Sequence, residues 1–256
     1  VQARAPHALI DIRDPAQAYS AADFVADARP LIEASRQAGR IPVLVGGTML
    51  YYRSLLYGLS RLPRADAGIR ARLEAEADRL GWPALHERLA AVDPGTAERL
   101  HCNDAQRIQR ALEVHELSGQ PMSRLQAVTT PEPLSGPVVR VGVMPATRKT
   151  LHQRIEARFA AMLADGVIEE VAALRAREDI HPDLPSMRAV GYRQIWAYLA
   201  GRIPRHELHF RGTAATRQFA RRQVTWLRRE RDLTWLDPLG SSPCDRLSDL
   251  VNRVVA

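Results

Sequence analysis

Two periods of apolar spacing run along this chain. Between Ser20 and Gln37 apolar residues recur at helical intervals, and Ser20 followed three residues later by Asp23 is a capping-box signature, so a helix is predicted over 20–37. Short apolar-rich runs, His7–Ile12, Ile41–Val45 and Val138–Met144, read instead as strands, with Thr234–Leu236 as a last edge strand. Further helices are predicted at 49–57, 147–164, 166–177, 195–199 and 206–230. From about Leu59 to Gly136 the character changes to proline-punctuated helical segments rich in arginine and glutamate, with no strand among them. Thr129–Pro137, TTPEPLSGP, reads as the linker back. The pattern predicts an α/β core, residues 1–58 and 137–256, interrupted by an all-helical insertion at 59–136.

One stretch stands out within this plan. The run Ile41–Val45 halts at Gly46-Gly47-Thr48 and gives way to the helical segment Met49–Tyr57. A strand, a glycine turn and a helix start leave several backbone N–H groups unpaired, at the positive end of the helix dipole. Such a turn seats a phosphate or another polar ligand, and Thr48 adds a hydroxyl and an N-cap oxygen. An ordinary strand-to-helix connection has the same appearance.

Charge changes the picture more than composition does. The 256 residues carry a net formal charge of +7, and Lys149 is the only lysine among 36 basic residues. Arginine suits phosphate and stacks on bases, although a GC-rich genome produces the same bias. Position separates the two cases. In 217–231, RQFARRQVTWLRRER, a helix would put Arg217, Arg221 and Arg228 on one face, with Phe219, Val224 and Leu227 as apolar anchors. In 103–110, NDAQRIQR, Arg107 and Arg110 are neighbours on a helix capped by Asn103 or Asp104, and Gln106 and Gln109 form a parallel polar pair. In 185–194, PSMRAVGYRQ, Tyr192 could stack on a base while Arg188 and Arg193 hold phosphates. Each element also reads as a solvated surface. Cys102 and Cys244 are far apart and form no CxxC pair, so neither a disulfide scaffold nor a cysteine-rich zinc site is expected. No apolar run is long enough to span a membrane and the sequence contains no signal peptide, so a cytoplasmic protein is expected; Val1 is not an initiator methionine, so a missing upstream piece is expected too.

Taken in order, the motifs carry a resemblance. DIRDP at 11–15 with AYSAADF at 18–24, LVGGTMLYYRSLL at 44–56, NDAQRIQRALEV at 103–114, LHQRIEARF at 151–159, PSMRAVGYRQIW at 185–196 and RRQVTWLRR at 221–229 resemble the bacterial tRNA dimethylallyltransferases over nearly the whole chain. That resemblance implies transfer of the dimethylallyl group of dimethylallyl diphosphate to N6 of adenosine 37 in tRNA, with release of pyrophosphate. It implies a parallel-sheet core like that of the P-loop nucleotide kinases, a helical insertion that clasps the anticodon stem, Mg²⁺ as helper, and a monomer. It also implies roles for residues. Thr48 would line the channel and contact the target nucleotide, Arg70 would contact tRNA, and Arg158 would bind diphosphate. The tRNA-binding stretches would be Gln106, Arg107, Ile108, Gln109 and Arg110; Arg188, Ala189, Val190, Gly191, Tyr192 and Arg193; and Arg221, Arg222, Gln223, Val224, Thr225, Trp226, Leu227 and Arg228.

The chain also departs from the family pattern. Neither a GxTxSGKT phosphate loop nor the DSxQ segment that carries the family's general base occurs in it. The resemblance therefore implies an N-terminally truncated member that lacks the first strand and the phosphate loop, with the Mg²⁺ ligands mainly in the missing part and little or no activity alone. Asp11 and Asp14 read as structural rather than as substitute bases. Two alternatives remain at this point: a non-catalytic RNA-binding chain, and an isopentenyltransferase acting on free adenine nucleotides. The insertion and the 217–231 helix have no use in the second.

Overall fold

The computed structural model describes residues 5–128 and 132–255; Thr129, Thr130 and Pro131 of the predicted linker lie outside that range. The chain divides into two units, one made of residues up to Ser54 and from Ser135 onward, the other of Leu55–Leu134.

In the first unit the predicted helices form where their signals stand. Helix α1 is Ala21–Gln37, and its capping box is present, with the Ser20 hydroxyl accepting from the Asp23 N–H at 3.2 Å and the Asp23 carboxylate accepting from the Ser20 N–H at 2.9 Å. Helix α2 is Met49–Tyr57 and runs across the boundary between the units. After the second unit come β1 (Arg140–Val143), α8 (Arg148–Ala164), α9 (Val167–Arg175), α10 (Tyr192–Leu199), α11 (Arg205–Leu227), β2 (Leu233–Leu236) and α12 (Pro243–Val255). The strands β1 and β2 pair in parallel, Arg140 opposite Leu233 and Val143 opposite Leu236, joined through the helical crossover that parallel pairing requires.

Two predicted strands do not form. Residues 7–12 are irregular, with Leu9 at φ 61° and Asp11 at φ 54°, values foreign to a strand. The run 41–45 is also irregular, and it is exposed, Val43 at 74% and Val45 at 92%. A strand is stabilised by a hydrogen-bonded neighbour, and among the described residues nothing pairs with either run. The parallel sheet of the described residues therefore has two strands.

Packing in this unit centres on Val167, Val171, Ile180, Met187, Ile195, Trp196 and Leu208, contributed by α9, α10, α11 and the loop before α10. Helices α8 and α11 meet at Gly212, where an added methyl would fall 2.1 Å from Phe159 Cζ. The 11–15 loop is tied to the same body: Arg177 donates to both Asp14 oxygens at 2.7 and 3.0 Å, and Ser186 Oγ donates to the Pro15 carbonyl at 2.6 Å. Asp14 is thus structural, as its sequence context suggests.

The second unit is helical throughout its described residues: α3 (Ala67–Leu80), α4 (Trp82–Val92), α5 (Pro94–Ala97), α6 (Ala105–Ser118) and α7 (Met122–Val128). Its core gathers Leu73, Ala77, Leu85, Leu89, Ala97, Ile108, Ala111 and Leu112. Asp93, fully buried, caps α5 through the Thr96 N–H at 3.0 Å and accepts from Ser123 at the start of α7 at 2.6 and 3.0 Å. Burial alone would push its carboxyl up, but the Ser123 and Thr96 hydrogen bonds outweigh that and hold it below the usual value. The carboxylate therefore stabilises this unit fully above an unfolded-state value of about 3.9, and that stabilisation is lost as pH falls through the lower folded value. Urea unfolding between pH 5 and 2 should accordingly show a smaller acid-induced loss in Asp93→Asn than in the wild type.

Candidate nucleic-acid interface

The glycine turn at 46–48 and the basic end of α11 lie against each other. Gln223 Nε2 donates to the Gly47 carbonyl at 2.9 Å, and a methyl built on Gly47 would collide with the same amide. Glycine is needed here for close approach of the backbone to a side chain. Thr48 opens α2, its carbonyl accepting from the Tyr51 N–H at 3.0 Å, while its side chain is exposed. One helical turn on, the Arg53 guanidinium lies 5.7 Å from the Trp226 ring centroid and its Nη1 pairs with Glu230 at 2.8 Å. A stretch singled out for its glycines and another singled out for its arginines thus occupy one place.

Around this contact the α11 residues divide by role. Arg221, Arg222 and Arg228 are exposed, and no carboxylate among the described residues pairs with them; Arg222 lies 5.7 Å from the Phe219 ring centroid. Arg217 differs from its predicted face-mates, being half-buried and paired with Glu156 of α8. Phe219, predicted as an anchor, is 39% exposed, because the buried side of α11 is carried by Leu208, Gly212 and Thr213 nearer its start. Val224, Trp226 and Leu227 are half-buried, and Thr225 is exposed with its hydroxyl donating to the Arg221 carbonyl. Arg158 is exposed on α8, beside the buried Phe159.

The 188–193 stretch leads into α10. Gly191 holds φ 99°, closed to side-chain-bearing residues, and its N–H donates to Gln194 Oε1 at 2.9 Å. Arg188 and Arg193 are exposed, as is Ala189, and Val190 is half-buried. The Tyr192 hydroxyl donates to Glu170 of α9, and desolvation together with that carboxylate pushes the phenol up to about 12. Tyr192 also forms one wall of a cavity of about 420 Å³ lined by Pro15, Leu174, Arg177, Ser186 and Met187. Its ring is therefore held by its hydroxyl, which limits how far it can move to stack on a base.

In the helical unit the 106–110 stretch splits again. Gln106 and Arg107 are exposed, Arg107 pairing with Asp104 at 3.2 Å. Ile108 is wholly buried in the core. Gln109 donates to the Arg70 carbonyl at 3.2 Å and to Glu74 at 2.9 Å, so its amide is engaged with α3 and does not pair with Gln106. Asp104 is the N-cap of α6, without a side-chain cap bond. Arg70 and Arg110 both reach Glu113, a residue that sequence reading passed over because in ALEVHEL it looks like any helix-forming glutamate.

Among the described residues no three His, Cys, Asp or Glu side chains gather as a metal site, and no helix is long and apolar enough to cross a membrane. Comparison with known proteins places this geometry in context. A family model described as IPP transferase matches residues 1–230. A tRNA dimethylallyltransferase of Alkalilimnicola ehrlichii is 59% identical over 255 residues, 99% of this chain and 80% of that protein. One of Ralstonia nicotianae is 54% identical over 260 residues, with the same shares covered. Among solved structures, the full-length tRNA isopentenylpyrophosphate transferase of Bacillus halodurans superposes with a TM-score of 0.64 at 33% identity, over 97% of this chain and 78% of that one. A eukaryotic dimethylallyltransferase acting on tRNA reaches 0.75 at 21% identity, over 97% of this chain and 66% of that one, a likeness of fold alone. The chain belongs to the IPP transferase family.

Proposed function

We propose that this chain binds the anticodon stem-loop of tRNA for prenyl transfer, moving the dimethylallyl group of dimethylallyl diphosphate to N6 of adenosine 37 in the cytoplasm as a monomer. The observation that supports the reading is the hydrogen bond from Gln223 to Gly47, which brings the glycine turn before Thr48 against α11. In the reaction the N6–carbon bond forms as the allylic carbon–oxygen bond to diphosphate breaks, and the amine loses a proton. Cations must meet the departing charge and the target base must leave its stack to reach the site. Thr48 hydrogen-bonds the flipped nucleotide; Arg221, Arg222 and Arg228 hold phosphates of the strand; Arg158 attracts the diphosphate. In the helical unit Arg70, Arg107 and Arg110 hold the stem.

The proton acceptor is not supplied by Asp14. Asp14 is held as a carboxylate by hydrogen bonds from Arg177 and Ala16, which lower its pKa, and both its oxygens are occupied. Mg²⁺ would supply positive charge to the departing diphosphate; among the described residues no three His, Cys, Asp or Glu side chains gather as a site for it.

The test is binding of the chain to an unmodified anticodon stem-loop, and to a copy with the target adenosine changed to guanosine, across a salt series. Salt-sensitive binding that prefers the adenosine is the expected result. Equal affinity for the two RNAs would remove the claim that Thr48 meets the target base.

A further inference from the structure

Glu113 lies on α6 among Ile108, Ala111, Leu112 and Val114, with no exposed surface. A carboxylate taken wholly out of water is costly unless its oxygens are hydrogen-bonded. Four donors meet it. Oε1 accepts from Arg70 Nε and from the Asp66 N–H, both at 2.8 Å, and Oε2 accepts from Arg70 Nη2 at 3.1 Å and Arg110 Nη1 at 2.6 Å. Arg110 continues through Nη2 to the Pro63 carbonyl at 2.6 Å. One buried acid thus draws together an arginine of α3, an arginine of α6 and the segment that leads into α3.

The arrangement does more than fill space. Two guanidiniums brought together repel each other unless an anion lies between them, and Glu113 is that anion. It does not cancel them, because two positive charges against one negative leave the group cationic. Nor does it hide them: the side chains of Arg70 and Arg110 remain 42% and 28% exposed. Arg70 spends one edge of its guanidinium on the carboxylate, and its Nη1 has no partner among the described residues. An arginine held this way loses less freedom on meeting a phosphate than one that swings in water.

We propose that Glu113 is a positioning residue for RNA binding, fixing Arg70 and Arg110 as a paired, outward-facing phosphate contact. The inference rests on the reading of this unit as RNA-binding, and it assigns a role to an acid that touches no RNA itself.

The experiment uses the whole chain and four proteins: wild type, Glu113→Gln, Arg70→Gln and the double variant. Each is titrated with the unmodified anticodon stem-loop, and folding is monitored by thermal melting. Removing a negative charge should tighten RNA binding if only the overall field matters. Positioning has the opposite sign: Glu113→Gln is expected to weaken binding about tenfold, and its effect should be smaller in the Arg70→Gln background, where only Arg110 is left to position. In ¹⁵N spectra of the free proteins, the Arg70 Nε–H signal should be dispersed and slow to exchange in wild type and collapse in Glu113→Gln. Glu113→Asp, which keeps the charge on a shorter stem, should recover part of the affinity and serves if the glutamine variant melts early. If wild type binds, Arg70→Gln weakens binding and Glu113→Gln binds like wild type, the positioning role is refuted while the RNA reading survives. If wild type does not bind the stem-loop at all, the RNA reading falls and the inference falls with it.

Discussion

Gly212→Ala should lower the free energy of unfolding by about 2–3 kcal/mol, the upper part of the range for overpacking a well-filled site. The added methyl would lie 2.1 to 2.7 Å from the outer edge of the Phe159 ring, and that ring is buried, with the His209 ring 6.0 Å from its centroid. It cannot swing into solvent, so the two helices must separate or Phe159 must leave its rotamer. Urea unfolding measures the loss. Combining Gly212→Ala with Phe159→Leu should recover part of it, because the two changes share one space and cannot be additive. Additive losses in the double variant would place the cost elsewhere.

The second large effect concerns binding. Replacing Arg221, Arg222 and Arg228 together by alanine is expected to weaken stem-loop affinity about a hundredfold at low salt. The slope of log K against log salt should become shallower by about 2, since each phosphate contact contributes about 0.7 to 0.9. All three side chains are exposed and none is paired with a carboxylate among the described residues, so the melting temperature should barely change. Loss of affinity with an unchanged slope would mean that these arginines do not neutralise phosphates. The corresponding change at Arg217 should disturb folding instead, since that residue joins α11 to α8 through Glu156.

The helices were legible in the sequence because their signals are local. The Ser20–Asp23 pair and the apolar spacing of 21–37 are sufficient to define α1. Strands were legible only where a partner exists. Val138–Met144 contains β1 because Leu233–Leu236 lies beside it, whereas Ile41–Val45 is equally apolar and forms no strand among the described residues. The candidate residues were readable only as separate stretches. The meeting of the 46–48 turn with the 217–231 stretch was not, since Gln223 and Gly47 are 176 positions apart and nothing in either stretch announces the other. Within each stretch, motif resemblance could not separate surface from core: Ile108 and Arg107 are adjacent in one motif, yet one is enclosed and the other faces water. Glu113 escaped for a related reason, since a glutamate in a helix-forming run gives no hint that it is buried.

The exposed run at 41–45 bears on how the protein behaves in solution. Four apolar residues of high β propensity, Ile41, Val43, Leu44 and Val45, face water, and such a segment is one through which separate copies of a chain adhere edge to edge. Two features oppose this: Pro42 lacks the N–H that a continuous ladder would need, and a net charge of +7 keeps molecules apart. The second defence fades as ionic strength rises, because the Debye length shrinks from about 10 Å at 0.1 M to about 3 Å at 1 M salt. Salt therefore acts on this protein twice, loosening its hold on a phosphate backbone while drawing its own copies together, and light scattering recorded alongside a titration separates the two.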